Sequence, residues 1–169
     1  VRDDLALLRA QPDPHFPLDT VHSLDAAARA DLLRSLSRHA LSGWAHRIFK
    51  DASVSLPPDL SAPLLLSHSR NTAHSILALR DYEHISRTLS SADIAHIPLK
   101  GIRLLETLYP DPGTRHLSDI DVLIHEADIP RADRALRAVG WRGESGGMWD
   151  RQQRYHHHHG YEPPPPLCA

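Results

Sequence analysis

The stretch "RHLSDIDVLIHE", Arg115 to Glu126, sets two aspartates one residue apart at the mouth of an apolar run. Side chains alternate along a strand, so Asp119, Asp121 and Leu123 point one way and Ile120, Val122 and Ile124 the other. The second set is apolar throughout and reads as the core face. The first set carries two carboxylates about 6.6 Å apart along the backbone, at roughly 3.3 Å of rise per residue. Placed side by side, such anions raise each other's pKa and destabilise the strand. A Mg²⁺ ion held at about 2.1 Å by converging carboxylates removes that cost. A bare D-x-D is more often two solvated acids at a sheet edge, and by itself it leaves both readings open.

The neighbouring sequence shifts the balance toward the metal. Upstream, "LKGIR" (99–103) ends a β-prone run, "IAHIPL" (94–99), and opens the helical segment "GIRLLETLY" (101–109) with a glycine. A helix N-terminus with glycine lets backbone N–H groups approach a phosphate. "PDPGTRHLS" (110–118) is turn chemistry and reads as a loop. "EADIPRADRALRAVG" (126–140) reads as a helix with Asp128 as cap, Pro130 in the first turn and Gly140 as the stop; Ile129, Ala132, Leu136 and Val139 share a face. "WRGESGGMWD" (141–150) holds a possible further strand start.

Before residue 92 the grammar is helical. "SLDAAARADLLRSLSRHALSGWAHRIFKDA" (23–52) repeats Leu33, Leu36, Ala40, Trp44 and Ile48 at intervals of three and four, with Ser23 or Asp25 as cap and "LPPDL" (56–60) as the stop. A second helix runs over about 62–89, with Leu65, Ile76, Leu79, Tyr82, Ile85 and Leu89 expected inside. The order predicts an α+β fold: a helical N-terminal region over 1–92, a core with a small mixed sheet over 93–154, and a His/Pro-rich disordered tail, "YHHHHGYEPPPPLCA", over 155–169.

The 169 residues suffice for one domain with a core, and 41% apolar with 24% charged residues marks a globular chain. A net charge of -2 provides no basic field, so strong non-specific nucleic-acid binding is not expected. One cysteine, Cys168, excludes an internal disulfide framework and fits a reducing cytoplasm. No run approaches the roughly 20 apolar residues of a membrane span, and no secretion signal is visible at Val1.

Residues 97–141, "IPLKGIRLLETLYPDPGTRHLSDIDVLIHEADIPRADRALRAVGW", closely resemble a bacterial family of uncharacterised nucleotidyltransferases in the polymerase-beta superfamily. "PLLLSHSRNTAHSILALRDYEHI" (63–85) and Trp44 resemble the helical region of the same family, so the likeness spans most of 24–141. The resemblance implies a nucleotidyltransferase fold and transfer of a nucleoside monophosphate from an NTP to an acceptor hydroxyl. It implies that Asp119 and Asp121 are catalytic and bind Mg²⁺ (or Mn²⁺) together with the triphosphate. By the same likeness Gly101 opens the phosphate-contacting helix, Lys100 and Arg115 contact phosphate, and Ser118 braces Asp119. Lys100 and Arg115 have solvated surface charge as their alternative, and Tyr109 reads as a core anchor for the loop.

The sequence departs from the superfamily in one respect. A third carboxylate from a later strand is usual, and Glu144, Asp150 and Glu162 offer only the right side-chain type. The expected alternative is therefore a degenerate or truncated nucleotidyltransferase-like binding module. Other readings are weaker. D-x-D glycosyltransferases place the apolar strand before the motif, whereas "VLI" follows it here. His156–His159 lacks the spacing of a zinc site and reads as a tail with adventitious metal affinity. His125 reads as a surface histidine.

Overall fold

A computed structural model describes residues 18–143 and 159–164. The chain divides into two units, each with its own core. One takes the residues up to Ala78 together with Arg103–Asp119; the other takes Leu79–Ile102 together with the residues from Ile120 onward. The helical first half and short strands bear out the α+β class. The sheets are antiparallel two-stranded pairs.

In the first unit a 3-10 turn, Leu18–Ser23, precedes helices α1 (Ala26–Arg38) and α2 (Ser42–Asp51) and the start of α3 (Pro58–Ser91). Asp25 opens α1, its Oδ1 accepting from the Ala28 N–H at 2.8 Å. The single helix expected over 23–52 is in fact two. Ala40 takes a left-handed backbone, φ +57°, and the Leu41 N–H closes the turn on the Leu36 carbonyl at 2.8 Å. The break resets the helical phase. Leu32, Leu36, Ala45 and Phe49 are buried, joined by Leu60 and Leu64 of α3, while Leu33 packs at the margin and Ala40 is exposed. Trp44 and Ile48 are only half-buried. The "LPPDL" segment does not stop this helix: Ser53, φ +56°, ends α2, and Pro58 begins α3.

The expected phase of α3 also shifts. Leu65 and Ile76 are 51% and 57% exposed, and the inward positions are Leu60, Leu64 and Ser75. Beyond Leu64 the inward side carries His68, Asn71 and Ser75, which hold a loop rather than fill a core.

The second unit begins with the end of α3, where Ile85 and Leu89 are buried as expected. Strand β1 (His96–Pro98) pairs antiparallel with β2 (Val122–Ile124) in the register His96↔Ile124, Ile97↔Leu123, Pro98↔Val122. Both strands are shorter than the sequence suggested, so Asp119 and Asp121 precede β2. The alternation nevertheless holds: Ile120, Val122 and Ile124 pack on a core of Ile85, Leu89, Ile94, Ala132, Leu136 and Trp141, while Leu123 is exposed.

Helix α4 (Lys100–Thr107) leaves β1, with Ile102 and Leu105 buried and Leu108 exposed beyond its end. The expected helix over 126–140 starts as a 3-10 turn, Glu126–Asp128, and continues as α5 (Ile129–Ala138). Asp128 makes no capping hydrogen bond; it pairs with Arg131 at 2.9 Å, and the His125 ring accepts from the Ala127 N–H instead. Val139 is exposed, which leaves Ala132 and Leu136 as the buried pair of that face. Gly140, φ +94°, stops α5 as read from sequence. Strand β3 (Arg142–Gly143) pairs with β4 (Tyr161–Glu162), inside what the sequence presented as tail.

Four helices end in the same way. At Ala40, Ser53, Asp93 and Gly140 the backbone turns left-handed. The following apolar residue, Leu41, Val54, Ile94 or Trp141, donates its N–H to a carbonyl five residues back. A Cβ in this conformation costs roughly 1–2 kcal/mol, against about 0.5–1 kcal/mol for the extra freedom of glycine when unfolded. Ala40→Gly should therefore stabilise the chain by about 0.5–1 kcal/mol in urea unfolding, with no change in helix content by circular dichroism.

Candidate functional site

The end of β1 and the start of α4 form the bend that places the first candidate group. The Leu99 N–H donates to the Asp121 carbonyl at 2.9 Å, carrying the β1–β2 ladder one step beyond the strands. Lys100 then turns out of the ladder with φ +45° and starts α4; Gly101, next to it, is buried. The Lys100 Nζ reaches the Asp121 Oδ2 at 2.9 Å. That oxygen is shut off from solvent and receives no aligned hydrogen bond, so the contact is an ion pair by proximity. A carboxylate oxygen is a ligand type that hard divalent ions take, and here it faces an ammonium. The second unit thus brings Lys100, Gly101 and Asp121 together.

Asp119, Ser118 and Arg115 lie in the first unit, on the loop after α4. The Ser118 hydroxyl donates to Asp119 Oδ1 at 3.1 Å, and both residues are exposed. Arg115 lays its guanidinium over the Tyr109 ring, 5.5 Å from the centroid. Its Nε is buried and makes no hydrogen bond. Tyr109 is thus half-buried, holding an arginine as well as the loop.

The loop itself is held by residues that the sequence reading passed over. Asp111 accepts from the His68 Nε2 at 3.0 Å, from Arg47 at 3.0 Å and from the Gly113 N–H at 3.0 Å. Asn71 donates to the Gly113 carbonyl at 3.1 Å and Ser75 to the Pro112 carbonyl at 3.2 Å. The backbones approach so closely that a Cβ on residue 43 would stand 2.1 Å from the Gly113 carbonyl oxygen, and one on residue 113 would stand 2.3 Å from His68. At 43 the clash is with backbone and demands glycine, whereas at 113 a Cβ would have to displace the His68 ring. The signal available in the sequence was the run of polar residues, His68, Asn71 and Ser75, at helical spacing opposite a D-x-G turn.

Burial pushes the Asp111 carboxyl up, but the hydrogen bonds from His68, the Gly113 N–H and Arg47 outweigh it and bring it down to about 2. His46, whose ring centroid lies 4.9 Å from that of His68, is held below the usual histidine range, first by burial and then by its His68 and Lys50 neighbours. In the second unit, burial and the hydrogen bond to Asp133 push the Tyr161 hydroxyl well up.

Among the described residues no group of three or more His, Cys, Asp and Glu side chains is placed to hold a metal ion. Of the sequence's candidates for a third carboxylate, Glu162 lies in β4 and pairs with Arg142 at 3.4 Å. Glu144 and Asp150 lie outside the described residues, as do His156–His158. No described helix is long and apolar enough to cross a membrane.

The fold and the bend define an α+β chain in which a lysine faces a carboxylate at a strand end. The particular family follows from sequence comparison: the model of a family described as uncharacterised nucleotidyltransferase matches residues 25–164, and the chain belongs to that family. Comparison with curated proteins gives no match, and comparison with solved structures gives none.

The Asp111 cluster carries its own prediction. Its folded pKa lies below the unfolded value of 3.8, so its contribution to stability is complete above that pH and is lost as pH falls toward 2. Asp111→Asn should lower stability at pH 7 by about 1–2 kcal/mol and flatten the loss between pH 4 and 2. Denaturant unfolding across that range checks both.

Proposed function

We propose that this chain is a metal-dependent nucleotidyltransferase that transfers a nucleoside monophosphate from an NTP to an acceptor hydroxyl. The family membership supports the general activity. The metal, the nucleotide and the residue roles are our reading of the site. The observation that carries it is the buried Asp121 oxygen, 2.9 Å from a lysine ammonium at the mouth of a glycine-bearing helix.

In this reading Asp121 and Asp119 would hold Mg²⁺ (or Mn²⁺), which would supply charge neutralisation to the phosphoryl group. The backbone at Gly101 meets the triphosphate at the start of α4. Arg115 has an Nε with no hydrogen-bond partner, and its planar fork suits a phosphate. Ser118 fixes the Asp119 carboxylate through the hydrogen bond to Oδ1. The acceptor oxygen attacks the α-phosphorus; the new O–P bond forms as the bond to the bridging oxygen breaks, and pyrophosphate leaves. The proton from the hydroxyl passes to a base, for which the described residues offer no carboxylate besides the proposed pair beside the site. Positioning and fixed charge supply most of the acceleration.

The same gap favours a second reading, a nucleotide-binding module that does not turn over. The two share binding and differ in chemistry. With Mg²⁺ and γ-labelled or α-labelled NTP, the enzyme should release labelled pyrophosphate and label an acceptor in a cell extract. A binding module should do neither while still retaining nucleotide on a filter. Asp121→Asn should abolish Mg²⁺-dependent nucleotide binding, by tenfold or more, with the fold kept by circular dichroism. Equal binding by that variant would show that the site lies elsewhere.

A further inference from the structure

We infer that Tyr109 is a positioning residue for phosphate recognition: its ring presets the Arg115 guanidinium as a receptor for a polyphosphate, and that receptor works without a metal ion. The inference rests on the reading of Arg115 as a phosphate contact and adds the group that sets it.

Arg115 stands apart from the other arginines in its degree of burial. Among the described residues three arginines are half-buried, Arg29, Arg47 and Arg115. Arg29 spends its head on Asp59 at 2.7 Å and on the Leu24 carbonyl at 2.6 Å. Arg47 spends its own on Asp51 at 2.6 Å and on Asp111 at 3.0 Å. Arg115 makes no hydrogen bond or ion pair to a described residue, and its Nε is shut off from solvent. A charged donor left unpaired away from water is costly, and native structures keep few of them. An oxyanion against the guanidinium supplies the missing charge and acceptors, and phosphate suits that planar head.

Backbone and ring together leave this head little freedom. Two residues before it, Gly113 is buried and held by Asn71 and Asp111. Two residues after it, Leu117 is buried. The Tyr109 ring then takes the head itself, with the Arg115 Cζ 5.5 Å from its centroid. A cation–ring contact uses none of the five N–H donors of arginine, so it orders the side chain while leaving its hydrogen bonds to a ligand. A side chain ordered in advance loses less freedom on binding, and the saving appears as affinity. The Tyr109 hydroxyl makes no hydrogen bond to a described residue, so the role belongs to the ring.

The experiment is isothermal titration of the whole chain with inorganic tripolyphosphate and with ATP, in EDTA so that no divalent ion takes part. The wild type should bind both. Arg115→Gln should weaken both by about tenfold or more. Tyr109→Leu should weaken both by about threefold to tenfold, and Tyr109→Phe should match the wild type. Tyr109→Met, which keeps apolar bulk without a ring face, reads the same contrast if the leucine variant fails to fold by circular dichroism. In the Arg115→Gln background the loss of the ring should make no further difference, because the ring acts through the guanidinium. A tyrosine that merely held the loop would weaken binding equally in both backgrounds, and that result overturns the inference. Unchanged affinity in the ring-less variants, with Arg115→Gln impaired, removes the role of Tyr109 and leaves Arg115 as a phosphate contact. Failure of the wild type to bind tripolyphosphate, or full binding by Arg115→Gln, overturns both, while the Asp121→Asn measurement decides the proposed metal site separately.

Discussion

One carboxylate oxygen of Asp121 is shut off from solvent and faces the Lys100 ammonium at 2.9 Å, and the β1–α4 bend is built around that contact. The ladder runs one residue past its strands to fix the Asp121 backbone against Leu99. A left-handed residue then swings the chain into α4, and its side chain returns to the carboxylate oxygen. The neighbouring residues Ile120 and Val122 anchor the segment by their apolar faces.

The comparison with Asp111 separates a structural acid from a candidate functional one. Asp111 meets a histidine, an arginine and a backbone N–H, and its acceptor capacity is spent on holding the 110–118 loop to α2 and α3. Asp121 Oδ2 meets the Lys100 ammonium and accepts no aligned hydrogen bond. Arg115 shows the same open valence from the other sign of charge: its ring contact with Tyr109 fixes the guanidinium plane, and its Nε remains unspent. The loop lock and the candidate site are thus two uses of the same chemistry within one stretch of about twenty-five residues.

Much of this was legible in the sequence. The alternation Ile120, Val122, Ile124 was visible as a core face, and so was the stop at Gly140. The "KGIR" bend could be placed next to Asp121 because strand ends meet in a small sheet. The helical half was harder to phase, for identifiable reasons. Ala40, an excellent helix former, sits in a left-handed cap held by the apolar residue after it, so propensity hid the break between α1 and α2. In α3 the rule that apolar residues face inward failed because the inward face holds a polar loop; Leu65 and Ile76 were assigned to a core that His68, Asn71 and Ser75 occupy with hydrogen bonds. The loop "PDPGTR" was recognised as turn chemistry, yet its partners lie 37 to 64 residues upstream, where local reading has no reach.

The central claim is that Asp121 lies in a cation site. A crystal grown with Mn²⁺ and a non-hydrolysable NTP, recorded near the manganese absorption edge, tests it with the fewest intervening steps. The account requires an anomalous peak at roughly 2.1–2.3 Å from carboxylate oxygens of Asp121 and Asp119. Manganese held only by the His156–His159 run, with the Lys100–Asp121 contact undisturbed, would contradict it.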